Sequence, residues 1–337
     1  MPLLTPSAVH VNTPLTNLAI LNMQQQQDYI ADKVFPNVPS QYQSDIYYKW
    51  KREDFLRDEM KLLAPGTSPE RVGVALETDT FSIPVRGISA IMDMQTAANT
   101  DVAIRWREAQ VMRLTTTALI NRDRNWISSY FATGLWDTEY AGVDSASPSA
   151  GEVGRWDRYA DSNPIVDVTN AKTAMALAAG GLRPNVMVVT QDVHDILVNH
   201  PVVLERIGLN AGATTSQPAM VSRSALASIF EVEEYLVIST VFNSAAEGAT
   251  ETLEFIATKK AALFHRPPAP GIFVPSAGYN FTWSTLDNSS GYGVEVMTYT
   301  DDALTRQHIA EEMQLVQAYT QKLVSPELGV FFEDVIN

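Results

Sequence analysis

The sequence predicts an α+β chain in which extended segments at both ends flank one long helix and an α/β region. Three observations lead there: a charged, aromatic-rich hairpin pattern from residue 45, a helical period over residues 100–131, and alternating helix and strand patterns from residue 166. With 337 residues, 45% hydrophobic and 19% charged, the chain can bury a sizeable core, and its length suggests two domains. Its 39 acidic and 24 basic side chains leave a net charge of −15. That balance disfavours a surface that wraps nucleic acid, because such surfaces neutralise phosphates with clustered Lys and Arg. No apolar run approaches the roughly 20 residues of a membrane span. Residues 1–21 lack the basic and apolar regions of a secretory signal, so synthesis in a cytoplasm is expected. The absence of cysteine excludes disulfides, thiolate metal sites and cysteine nucleophiles.

Residues 1–44 hold only three charged side chains, Asp28, Asp32 and Lys33, and prolines at 2, 6, 14, 36 and 39 limit them to a short helix within Thr16–Asp32. Such a segment is an arm that becomes ordered by lying on a neighbour, or else a solvated tail. Residues 45–92 form a long hairpin. Its outgoing stretch, DIYYKWKREDFLRDEMK, sets Tyr47, Tyr48, Trp50, Phe55 and Leu56 among Lys49, Lys51, Arg52, Arg57 and Lys61; LLAPGTSPERVG turns the chain, and Phe81, Ile83, Val85 and Ile88 return it. A hairpin this long and this charged cannot bury a core by itself and needs another surface to lie against.

Residues 93–165 contain the clearest helix, 100–131, capped by Thr100 or Asp101, with Val102, Trp106, Ala109, Met112, Leu119, Trp126 and Tyr130 at near-helical spacing. Arg105, Arg107, Arg113, Arg122 and Arg124 punctuate it, as a solvated face or as partners for acidic residues of another chain. Residues 134–164 are expected to be a loop anchored by Trp136 and Trp156. Residues 166–290 read as α/β: helices at 169–179, 191–199 and 222–230, strands at 185–189, 235–240 and 253–257. The first two strands are continuous apolar runs, which implies cover on both faces. Residues 291–337 return to extended patterns.

No catalytic constellation emerges. His308, Glu311 and Glu312 lack the second His of HExxH and fit a surface helix turn; His194 and His200 fall on different helix faces. No nucleophile elbow, dinucleotide fingerprint or phosphate loop occurs, so no enzyme activity, cofactor or metal is expected.

The order of these elements, with four stretches of sequence, resembles the major capsid proteins of tailed double-stranded DNA bacteriophages, the Hong Kong 97-type fold family. YYKWKREDFLRDEMKLLAPGTSPERVGVALETDTFSIPVRGISAIM resembles the family's E-loop, and DVAIRWREAQVMRLTTTALINRDRNWISSYF its spine helix. RPNVMVVTQDVHDILVNHPVVLERI looks like a strand and helix of its A-domain, and KLVSPELGVFFEDVI is similar to its last P-domain strands. The resemblance implies an N-terminal arm (1–44), an E-loop (45–92), a P-domain built from 93–165 and 291–337, and an A-domain (166–290). It implies a non-enzymatic shell subunit that assembles in the host bacterial cytoplasm as hexamers and pentamers and resides in the virion capsid. Trp50, Arg52, Phe55, Leu56, Arg57, Arg105 and Arg113 are the expected inter-subunit contacts. Implied partners are a scaffolding protein, a portal protein at one vertex, decoration or cement proteins, and packaged DNA held by proximity without sequence readout. Some relatives carry a longer scaffold-like N-terminal domain; with only 44 residues before the hairpin, a separate scaffolding protein is expected here. Some also crosslink a hairpin lysine, a role for which Lys49, Lys51 or Lys61 would be the candidates, though solvated lysine is the plainer reading. An encapsulin-like compartment shell shares this fold and is the nearest alternative; a cytoplasmic α/β enzyme with residues 1–95 as an oligomerisation arm is a more distant one.

Overall fold

Two six-stranded sheets joined by one long helix organise the chain in the computed structural model. It describes all residues except 1–8, 12–14, 17, 20–28, 50–57, 59, 61, 64, 67, 70, 72–76, 94–102, 212–220, 247, 272–273, 285–293 and 300–309. In the first sheet the 14-residue strand Ala310–Leu323 is antiparallel to Val294–Tyr299, Val85–Asp93 and Gly278–Trp283. Val9–Val11 extends it beside Val294–Tyr299, and Asn37–Ser40 pairs parallel with Gly278–Trp283. Both ends of the arm are thus tied into a sheet made largely by the last 60 residues. The second sheet runs Glu152–Gly154, Thr138–Val143, Gly329–Glu333, Ala261–Phe264, Val186–Thr190, Glu234–Ile238.

The helix Ala103–Tyr130, 28 residues and so about 42 Å long, spans the two cores. Val111, Leu114, Ala118 and Leu119 pack with Val296, Met313 and Leu315 of the first sheet; Trp126 and Ile127 belong to the larger core of the second. The buried positions step 111, 114–115, 118–119, 122–123, 126–127, a true helical period. The apolar stripe expected from the sequence differs in its first half: Ala109 and Met112 are exposed. Their places are taken by polar residues that solve their burial locally. Thr115 donates to Val111 O at 2.7 Å, and Arg122 and Asp123 meet an ion pair and backbone amides.

The α/β expectation for residues 166–290 is met in its main elements. Val186–Thr190 is buried along its whole length, and Glu234–Ile238 lies parallel to it, buried except at Glu234. The helix Pro164–Ala178 begins five residues earlier than expected, because Asn163 accepts the Val166 amide and Pro164 supplies a preset first turn; Gly180 and Gly181 stop it at φ +69° and +95°. Helices Gln191–Asn199 and Arg223–Ile229 fall where the pattern placed them, and Ser222 caps the latter. An unforeseen helix, Pro201–Ala211, follows His200.

Residues 134–164 are not simply a loop. They contribute the strands Thr138–Val143 and Glu152–Gly154, the first parallel to Gly329–Glu333. That partner lies almost 200 residues away, so no local signal announces it. Trp136 and Trp156 do anchor the segment, buried and donating to Tyr130 O at 2.9 Å and Asp167 Oδ2 at 3.1 Å. The C-terminal stretch is extended as expected, and Glu311 and Glu312 sit in its long strand rather than on a helix turn.

Candidate functional site

Ser162 Oγ lies 3.1 Å from His200 Nε2, a pair with the composition of a nucleophile and its base. The geometry argues otherwise. His200 Nδ1 accepts the Val202 amide at 3.3 Å, which puts the ring proton on Nε2, so that nitrogen donates to Ser162 instead of receiving its proton. Ser162 Oγ already donates to Arg158 O at 2.8 Å, both residues are buried, and burial pushes the His200 pKa down. The His200 backbone amide closes helix Gln191–Asn199 on Leu197 O, and the ring ties that end to Ser162. Among the described residues, no group of three or more His, Asp or Glu could hold a metal, and no helix is long and apolar enough to cross a membrane.

What the structure offers is surface. Strand Ser44–Lys49 pairs antiparallel with Glu77–Ser82, forming the base of the hairpin. Strand alternation gives this ribbon two faces. On the inner face Tyr47 and Phe81 are buried against Phe281 of the first sheet, with the Phe81 and Phe281 rings stacked at 4.2 Å. Tyr47 Oη has its one proton within reach of two acceptors, Asp79 Oδ2 at 3.1 Å and Leu323 O at 3.3 Å. Asp79 also meets Lys49 Nζ at 2.9 Å; hydrogen bonds from Lys49 and the Thr80 amide pull its carboxyl down to about 2. Burial, with the Asp79 charge beside it, pushes the Tyr47 hydroxyl pKa well up. The base is thus fixed in register by aromatic stacking and a charged clasp.

The outer face keeps apolar side chains partly exposed among the described residues. Tyr42, Ile46 and Tyr48 are 67%, 58% and 40% exposed. They border a groove of about 500 Å³ at the edge of the ribbon, whose lining also includes Pro39, Pro270 and the inner-face residues Tyr47, Phe81 and Phe281. Toward the hairpin tip Met60 and Leu62 are fully exposed. Single exposed apolar residues are ordinary; several in residues 42–48 and 60–62 make an exposed apolar patch.

Of the contacts expected from the sequence, Trp50, Arg52, Phe55, Leu56 and Arg57 lie outside the described residues. Arg105 is in the long helix, its side chain outside the description, and Arg113 is exposed on the same helix. Arg122 departs from the expected solvated or inter-chain role: it is buried and paired with Asp32 of its own chain. Sequence reasoning missed Tyr42 and Ile46. The signal was the alternation of Ile46 and Tyr48 around Tyr47, which a strand must put on opposite faces.

No protein-family model matches the chain, and none of the curated proteins compared with it matches. Solved structures do. A phage-related protein from Bordetella bronchiseptica is similar over 97% of this chain and 98% of its own, at 20% identity and a TM-score of 0.69. The mature capsid protein of bacteriophage PhiM1 covers 88% of this chain and 83% of its own, at 14% identity and 0.51. The holo encapsulin complex of Synechococcus elongatus PCC 7942 covers 93% and 90%, at 8% identity and 0.50. Likeness over nearly the whole chain at such low identity is likeness of fold, and the α+β capsid-type fold expected from the sequence is the fold this chain has.

Proposed function

We propose that this chain is the major capsid protein of a double-stranded DNA bacteriophage, a structural subunit that assembles as hexamers and pentamers into an icosahedral shell. The observation that carries the reading is the fold shared with a mature phage capsid along almost the full length. The exposed apolar patch on the hairpin supports it, because shells close through many modest contacts repeated by symmetry. In this reading residues 1–44 are the arm, 45–92 the E-loop, 93–165 and 291–337 the P-domain and 166–290 the A-domain. Scaffolding, portal and decoration proteins are its partners, the shell forms in the host cytoplasm, and an acidic chain lets packed DNA lie beside it without adhering. A second reading, a bacterial compartment shell, draws on the encapsulin likeness. It differs in what the shell holds: protein cargo instead of DNA.

Negative-stain electron microscopy of the purified chain, with and without a candidate scaffolding protein, tests both. Closed shells or rings of five and six support the reading, and the contents separate phage from encapsulin. A monodisperse monomer or dimer under every condition overturns it. The hairpin contacts have their own test: replacing Trp50, Phe55 and Leu56 together by Ser is expected to leave a soluble subunit and lower particle yield at least about tenfold. The pair Ile46→Ser and Tyr48→Ser is expected to act in the same direction. Wild-type yield would remove those residues as interface anchors.

A further inference from the structure

The segment that leads from the arm into the hairpin is held to the body by the buried side chains of Ile30, Val34 and Phe35, by the strand Asn37–Ser40, and by one buried polar cluster. The short helix Ala31–Val34 has no cap of its own, since Ile30 offers no side-chain acceptor. Asp123 of the long helix takes that place, accepting the Ile30 amide at 3.3 and 3.2 Å through its two oxygens and the Ala31 amide at 2.9 Å. Beside it, Arg122 Nη1 lies 3.0 Å from Asp32 Oδ2, and Asn280 Nδ2 donates to Asp32 Oδ1 at 2.9 Å. Arg122 and Asp123 are each 1% exposed. Asp32, its side chain 22% exposed, is thus paired with the guanidinium, while the buried Asp123 next to Arg122 in sequence is spent on backbone amides, so the cluster holds two carboxylates and one cation.

Among the described residues, the side chains shown in contact with the cluster are otherwise neutral. The strand Gly278–Trp283 contributes neutral Asn280. The strand Ala310–Leu323 contributes the Tyr319 ring, 4.7 Å from Arg122, and Gln321, which donates to Arg122 O at 3.3 Å. Arg86, from the strand Val85–Asp93, reaches only the Tyr319 ring and Tyr319 O. Arg266 spends its guanidinium on Lys33 O and, at 2.8 Å, on Glu234. Lys33 is the one further charged side chain on the short helix.

We propose that Asp32, Arg122 and Asp123 form a proton-operated latch between arm and body: one proton on the carboxylate pair makes the cluster neutral and favours its closed form, and its loss weakens the cluster's share of the hold on residues 30–34. Burial, the largest influence, pushes the Asp123 carboxyl up to about 7, with Asp32 adding to the rise, against the two amides and Arg122; burial raises Asp32 as well. A carboxyl raised in the closed form and ordinary in the open one binds its proton more tightly when closed. Closure is therefore fully favoured below the ordinary carboxylate range, weakens by up to about tenfold per pH unit as pH rises toward 7, and levels off above it. The strand Asn37–Ser40 follows directly and precedes the hairpin strand Ser44–Lys49, so the latch contributes to how firmly the hairpin is footed.

Hydrogen exchange of the full-length chain between pH 5 and 8.5, corrected for the intrinsic pH dependence of exchange, reads the latch at the Ile30 and Ala31 amides. Expected is protection that falls by up to about tenfold per pH unit between pH 5 and 7 and is flat above pH 7.5, while Val188 in the second sheet does not follow. Asp123→Asn, which keeps an acceptor oxygen and cannot ionise, is expected to be flat throughout. A wild type without slope, a variant with the same slope, or Val188 moving in parallel overturns the proposal. Should the variant not fold, the carboxyl carbon-13 shift of Asp123 in the wild type decides: a midpoint near 7 supports the latch and one below 5 overturns it.

Discussion

Replacing Arg122 by Leu is expected to lower the unfolding free energy by about 3–5 kcal/mol at pH 7, the loss typical of removing one partner from a buried ion pair. The reason is the charge that remains. Asp32 would lose its cation, and Asp123, 1% exposed, would feel that uncompensated charge as well as its own burial. The side chain also supplies packing against the Tyr319 ring, whose hydroxyl is held by Asn125 and Asn121 at 2.9 and 3.1 Å, and leucine fills only part of that volume. The loss carries a pH signature that distinguishes charge from packing. Arg122 lowers both carboxyl pKa values, so its removal raises them further above the ordinary range. A carboxyl with a raised pKa in the folded state destabilises it when ionised and ceases to do so as pH falls through that pKa. Urea unfolding should therefore show a larger deficit at pH 8 than at pH 5. An equal deficit at both values would assign the effect to packing alone.

This cluster also shows where sequence reading ends. The long helix and the buried strands Val186–Thr190 and Glu234–Ile238 were legible because each rests on a local rule, period or continuous apolarity, whereas the cap at Asn163, equally local, went unread and cost the helix Pro164–Ala178 its first turn. Arg122 and Asp123, adjacent charged residues on a helix rich in arginine, carry the pattern of solvated surface. What turns them inward is Asp32, ninety residues upstream, and backbone amides that have no sequence signature. The same limit hid the strand Thr138–Val143, whose partner is at the C-terminus. The hairpin falls between these cases. Its strands were readable from aromatic alternation, but which face stays open depends on Phe281, a residue from another part of the chain. The assembly surface is by nature harder still, because residues that will be covered by another copy look, within one chain, like exposed ones.

Gly142→Ala is expected to cost at least about 3 kcal/mol, the upper part of the range for overpacking a closed site. A methyl carbon at position 142 would stand 2.0 Å from Asp334 O, 2.5 Å from Asp334 C and 2.9 Å from Val335 Cα. All three atoms are backbone, so no rotamer change relieves the clash. The tail itself is pinned. Val335 O accepts the Trp156 amide at 2.6 Å, Val335 N–H donates to Lys259 O at 3.1 Å, and the Asn337 amide donates to Asp157 Oδ2 at 3.1 Å. Asp334 already sits at φ +50°, which leaves little freedom for a further turn. Accommodation therefore requires either Thr138–Val143 or the end of Gly329–Glu333 to move, and these two strands pair with each other in the second sheet. Gly154→Ala, in the neighbouring strand, is the control: its added carbon meets only Ser145 O at 3.3 Å, and a loss within about 0.5 kcal/mol is expected. Urea unfolding of both variants beside the wild type measures the difference. Equal stability for Gly142→Ala would mean that the C-terminal tail yields without cost, and the close approach of Asp334 would then have no part in holding the second sheet together.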